Sequence, residues 1–215
     1  MSKLLYIEAS PRKDRSLSIA VANDFLGAYG AENPGDDVDT LDLWDTTLPP
    51  FDGNMLEAKY AVLHGQEHTP EQACAWAGVT ETFERFAAAE KFLFSLPMWN
   101  FGIPYRLKQY IDVITQPGLA FSYSPEKGYD GLVTGRPAVL IYTRGGEYPI
   151  GTAAEPFDMQ KSYMELWLGF IGFTDIRSIV IEPTLDPSRV KDARLSAAHI
   201  ARTMGASFGH KLVLH

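Results

Sequence analysis

The chain has 215 residues, which fits one large or two small domains with a sizeable core. Its 46% hydrophobic and 21% charged residues are ordinary for a soluble globular protein, and a formal net charge of −8 argues against a nucleic-acid backbone or anionic membrane as partner. The start MSKLLYIEAS lacks a signal peptide's apolar segment and cleavage site, and no run approaches the ~20 apolar residues of a membrane helix, so a cytoplasmic location is expected.

In chain order, KLLYIEA (3–9) reads as a strand, and a helix begins after Ser16 with Leu17, Val21, Phe25 and Ala28 at helical spacing. DVDTLDL (37–43) alternates as an edge strand should. Residues 70–90 open on a capping box, Thr69 with Pro70 first and a glutamine three after the cap. That helix carries Cys74, the only cysteine, which excludes an intramolecular disulfide and is expected to be a small buried residue. KFLFSLP (91–97) is a strand, and Ile103, Leu107, Ile111 and Ile114 stripe a helix that starts near Pro104. PAVLIYT (137–143) and IRSIVIE (176–182) are strands, separated by a helix striped by Met159, Tyr163, Leu166 and Phe170. Val190, Ala193, Ala197, Ile200, Met204 and Phe208 stripe the last helix, and all these stripes are expected to face the core. The alternation predicts one α/β domain over 1–215, a five-stranded parallel sheet with helices on both faces. The first, third and fourth strands, apolar throughout, should be central.

Two connections, 44–69 and 116–136, are too long for simple turns and carry aromatics. They read as walls of a pocket or of a subunit contact.

Ligands of open parallel sheets bind beyond the strands' carboxyl ends. Three segments gather there. ASPRKDRSLS enters a helix whose unpaired amides, with hydroxyls of Ser10, Ser16 and Ser18, suit a phosphate; a simple helix cap at Ser16 is the alternative. No glycine-rich dinucleotide or ATPase loop occurs, so a single monophosphate suits the segment better. PMWNFGIP offers Asn100, donor and acceptor at once, to a ring edge, or else caps the following helix. TRGG brings glycine amides close to a flat ligand, or is only a turn. Together the three describe a mononucleotide with a planar heterocycle, and FMN fits.

These segments, with GLAFSYS, GLVTGRPAVLIYTRGG and LWLGFIGFTDI, make the sequence resemble the FMN-dependent NADH-azoreductase family, also called FMN-dependent NADH:quinone oxidoreductases. The resemblance implies a flavodoxin-like fold. It puts the FMN phosphate at Ser10, Ser16, Leu17 and Ser18, and the isoalloxazine against Met98, Trp99, Asn100, Phe101, Thr143, Arg144, Gly145 and Gly146. It implies a homodimer, NADH or NADPH as electron donor, quinones and aromatic azo compounds as acceptors, and ping-pong hydride transfer with no catalytic acid–base side chain. Gly145 and Gly146 amides would stabilise charge on the reduced flavin. Tyr123 and Phe170 occupy positions that line the family's substrate pocket, with ordinary packing as the alternative. Thr143 stands where the family often has serine, and Trp99 where tyrosine is frequent. A flavodoxin-like electron carrier without its own small-molecule substrate is the rival reading, and the two aromatic loops count against it.

Overall fold

The computed structural model describes residues 1–209, so the last six positions of the expected 1–215 domain lie outside the described residues. The strands are β1 (Lys3–Glu8), β2 (Asp37–Asp42), β3 (Lys91–Pro97), β4 (Phe121–Ser124), β5 (Gly128–Gly131), β6 (Pro137–Thr143) and β7 (Asp175–Ile181). The α-helices are α1 (Leu17–Glu32), α2 (Gly53–Leu63), α3 (Pro70–Ala87), α4 (Tyr105–Ile114), α5 (Met159–Ile171) and α6 (Val190–Ser207).

Five strands form one parallel sheet in the order β2-β1-β3-β6-β7. The three apolar strands β1, β3 and β6 are its centre, and β2 is an edge, as the sequence implies. Their side chains alternate between two cores. Leu4 and Tyr6 pack with α1 and α6, while Leu5 and Ile7 pack with the helices of the other face. Period-2 geometry thus turns a wholly apolar strand into a two-sided one.

Both long connections contain structure. The 44–69 segment holds α2, capped by Asp52, whose carboxylate accepts from the Met55 amide at 3.1 Å. The 116–136 segment holds the antiparallel β4–β5 hairpin.

Several stripes are out of phase with expectation. In α5 the buried residues are Gln160, Met164, Trp167, Leu168 and Ile171, while Met159 and Leu166 face outward at 58% and 73% exposure. Apolar side chains cover more than half the circumference of this helix, with Lys161, Ser162 and Glu165 on the remainder, so periodicity could not choose which part of that wide arc is buried. In α6 Ile200 is exposed, and Ala197, Ala198, Ala201 and Gly205 are buried. Close approach explains it: a Cβ on Gly205 would lie 2.4 Å from the Phe25 carbonyl oxygen of α1. Cys74 is exposed, contrary to expectation, because α3 turns Val79, Phe83 and Phe86 to the core instead.

At the amino-terminal end of the sheet the polar groups pair with each other. Tyr29 Oη donates to Asp36 Oδ2 (2.5 Å), Lys91 Nζ reaches both at 2.9 Å, and the Ser2 amide donates to Asp36 Oδ1 (2.7 Å). The Tyr29 hydroxyl, then Lys91 and the Ser2 amide, hold the Asp36 carboxyl well below the usual range.

Candidate cofactor site

The sheet order reverses between β1 and β3, since β1 is followed outward by β2 and β3 by β6. Such a switch point opens a crevice between the loops that leave the two strands. The three segments singled out in the sequence border it.

The first leaves β1 and winds through a 3-10 turn, Lys13–Arg15, into α1. Ser16 caps the helix, its hydroxyl facing the Ile19 amide at 3.5 Å, and Ser16 Oγ lies 3.1 Å from Ser18 Oγ. Ser10, Ser16 and Ser18 are all buried. The Ser16 carbonyl takes the Ala20 amide, which leaves the Leu17 and Ser18 amides unspent among the described residues. The cap at Ser16 and an anion site are therefore compatible roles. Arg12 and Arg15 stand exposed on the same loop, and neither forms an ion pair among the described residues. Hydroxyls, free helix amides and two unspent guanidinium groups are the donor set that a phosphate dianion requires.

Lys13 shapes this loop. Its backbone is left-handed at φ 48°, and its ammonium reaches Glu8 at the end of β1 (2.9 Å) and Asp42 at the end of β2. Burial pulls the Asp42 carboxyl up, but Lys13 and the Trp44 amide outweigh it and hold it below the ordinary range. Lys13 is thus turned to protein carboxylates, and its role is to bind the loop to two strand ends.

The second segment makes a tight hairpin beyond β3. Trp99 and Gly102 exchange amide–carbonyl bonds at 3.0 Å, with Asn100 at φ 48° and Phe101 at φ 70° between them. Two successive positive φ values define a primed turn. Asparagine accepts that conformation readily, but for phenylalanine it carries strain, which is typically stored at functional sites. Asn100 is exposed, and α4 is instead preceded by Pro104, so the helix-cap reading of Asn100 falls.

The third segment follows β6. Thr143 accepts the Met98 amide at 2.8 Å, which fixes the second and third segments together. The Arg144 side chain does not face the crevice. It is 2% exposed and paired with Asp158 Oδ2 (2.7 Å) and Glu182 Oε2 (3.4 Å), with Gln160 Oε1 at 3.3 Å from Nε. Its carbonyl takes the Thr184 amide and hydroxyl. Its amide donates to the Ile181 carbonyl (3.1 Å), and its guanidinium braces the loop from within the fold. Neither Gly145 nor Gly146 donates its amide to another described residue. A Cβ on Gly145 would lie 2.7 Å from Leu185 Cδ1, so the missing side chain makes room for Leu185 against the loop. With this donor set around an open crevice, the residues present fit a flavin mononucleotide.

Sequence reasoning missed several neighbours. Trp44 donates its indole N–H to the Ala9 carbonyl (3.0 Å) and packs on Trp99 and Tyr105, with ring centroids 5.7 and 5.4 Å away. Asp158, Gln160 and Leu185 were not anticipated either, because each acts through a contact distant in sequence. Tyr123 and Phe170 are not brought to Asn100 or Gly145 by any described ring contact. They join each other through Tyr129, at 5.0 and 5.6 Å.

The geometry agrees with the comparisons. A family model described as flavodoxin-like fold matches residues 2–203. The FMN-dependent NADH:quinone oxidoreductase of Desulfotalea psychrophila is 52% identical over 200 residues, covering 93% of this chain and 94% of that protein. The protein of that name from Nitratidesulfovibrio vulgaris is 51% identical over 210 residues, covering 97% and 100%. Among solved structures, an azoreductase from Bacillus anthracis superposes with a TM-score of 0.89 at 30% identity, over 97% of this chain and 100% of that one. An FMN-dependent NADH-azoreductase of the same species, solved in complex with FMN, gives 0.83 at 27% identity, over 95% and 100%. The chain belongs to the FMN-dependent NADH:quinone oxidoreductase family, of flavodoxin-like fold.

Proposed function

We propose that Ser10, Ser16, Leu17 and Ser18 hold the phosphate of FMN and that Met98 to Phe101 and Thr143 to Gly146 hold its ring. The protein is an FMN-dependent NADH oxidoreductase that reduces quinones and aromatic azo compounds. The observation that carries the site assignment is the buried Ser16–Ser18 pair beside the Leu17 and Ser18 amides, which are unspent among the described residues.

When bound, FMN supplies the two-electron redox centre. The protein's part is to bind, orient and tune. Helix amides and hydroxyls fix the phosphate end. The strained Asn100–Phe101 turn presents a donor and an acceptor at the crevice, and the Gly145 and Gly146 amides offer positive dipoles where negative charge would gather. Losing one such donor typically costs ~3 kcal/mol of stabilisation. Donor and acceptor share one open face in turn, which gives ping-pong kinetics.

The working unit is a homodimer. Met159 and Tyr163 of α5 join Tyr105 and Ile103 around a cavity, and α2 exposes Leu56, Tyr60 and Leu63 at helical spacing. Apolar surface of that extent commonly marks an interface. Phe51, by contrast, packs partly against the main core. Tyr123 and Phe170 line the substrate pocket, to which both subunits of the dimer contribute. No described helix is long and apolar enough to cross a membrane, and with NADH as donor we place the enzyme in the cytoplasm.

Anaerobic titration of the FMN-loaded protein with NADH tests the reaction. One equivalent should bleach the flavin absorbance without a partner reductase, and a quinone should restore it. Flavin that stays oxidised would contradict the reading. Light scattering at assay concentration tests the dimer, and a monomer with undiminished specific activity would defeat it.

A further inference from the structure

The loop after β6 is gripped by the segment that follows β7. Arg144 donates its amide to the Ile181 carbonyl (3.1 Å), as a residue still in the parallel ladder does. The next donor due in that ladder is residue 183, a proline, which has no amide to give. Thr184 takes its place, and both its amide and its hydroxyl donate to the Arg144 carbonyl at 2.8 Å. The Gly145 carbonyl turns to the same segment and accepts the Leu185 amide (3.2 Å). An ion pair closes the grip, with two Arg189 nitrogens each 2.6 Å from a Glu147 oxygen.

This grip dictates where the glycine amides point. A peptide unit is planar, and in the trans form its carbonyl and its N–H face opposite ways. The 144–145 and 145–146 peptides are both trans. A continuing strand would turn the Gly145 carbonyl to its other edge, but here two successive carbonyls are drawn toward Thr184 and Leu185. The Gly145 and Gly146 amides are therefore turned together to the side away from that segment. Successive amides facing one way make a concavity for negative charge, and these two are unspent among the described residues. Of the three donors on the two carbonyls, only the Thr184 hydroxyl belongs to a side chain.

We propose that Thr184 is a positioning residue of the flavin site. Its hydroxyl fixes the Arg144 carbonyl and so aims the Gly145 amide, beside that of Gly146, at the edge of the ring where charge gathers on reduction. The inference rests on the flavin assignment above and adds that the cofactor's potential is set in part from the segment after β7. Thr184 acts through the Arg144–Gly145 peptide.

The test is the midpoint potential of the bound flavin, by anaerobic dye-coupled reduction, beside calorimetric titration of flavin-free protein with FMN. Thr184→Val removes the hydroxyl, keeps the β-branched shape and leaves the amide bond in place. Its potential should fall by ~30 mV, the equivalent of a tenfold loss in affinity for reduced relative to oxidised flavin in a two-electron couple. Oxidised FMN should bind nearly as in the parent. Thr184→Ser restores a hydroxyl and should recover the parent potential. A hydroxyl that only braces the loop would lower the melting temperature of Thr184→Val and leave its potential unmoved, and that result would overturn the proposal. So would a Thr184→Ser variant whose potential matches that of Thr184→Val. A parent protein that binds no FMN would overturn the flavin assignment itself, and this inference with it.

Discussion

The two ends of the central sheet use the same materials in opposite ways. At the amino-terminal end Tyr29, Asp36, Lys91 and the Ser2 amide satisfy one another among the described residues. At the carboxyl end, serines are buried, amides at Leu17, Ser18, Gly145 and Gly146 go unspent among the described residues, and phenylalanine occupies a left-handed turn. The first arrangement stabilises the fold. The second leaves binding capacity open and carries strain to do so. Substitutions at the two ends should accordingly separate stability from flavin affinity.

The largest effect is expected at the phosphate end. Ser16→Ala with Ser18→Ala should weaken FMN by about 3 kcal/mol, roughly 150-fold, while riboflavin affinity hardly moves. Melts without flavin should show only the lost cap, ~1 kcal/mol. At the opposite end, Lys91→Met should invert the pattern, with about 2 kcal/mol of stability lost in urea melts and FMN affinity unchanged. Because the Asp36 pKa is depressed, its contribution is full above about 3.9 and fades as pH falls through the lower folded value; the variant should flatten that acid limb. Third, Asn100→Gly keeps the positive φ at no steric cost, so melts should stay within about 0.5 kcal/mol while FMN binding or its reduction by NADH drops on the order of tenfold. The smallest effect is at Lys13, whose side chain is 38% exposed and screened. Lys13→Met should weaken FMN about fivefold, ~1 kcal/mol, at neutral pH. In the parent that contribution persists above the ordinary aspartate pKa of ~3.9 and is lost below it as Asp42 protonates, so the variant's FMN affinity should depend less on acid pH.

The five strands of the main sheet, and which of them are central, were legible because β1, β3 and β6 are apolar runs and β2 is not. The capping box of α3 was equally plain, and the structure shows both of its bonds. What failed were signals that need a third dimension. The face of α5 is ambiguous in sequence because large apolar residues sit on both sides of it, Trp167 and Leu168 buried but Met159 and Leu166 outward. Asp52 could have announced α2, and the glycines and Pro125 in SYSPEKGYDG could have announced the β4–β5 hairpin, had the long loops been searched for caps and turns. Of the site, the three segments were visible, but Lys13 turning to Glu8 and Asp42, Arg144 turning to Asp158, and Trp44 reaching Ala9 depend on tertiary contacts.

The central claim is that the carboxyl end of the sheet is built around a phosphate. Calorimetric titration of flavin-free protein with FMN and with riboflavin tests it most directly, since the two ligands differ only in that group. FMN should bind at least 100-fold more tightly, as about two charge-assisted hydrogen bonds require. Equal affinities would contradict the account.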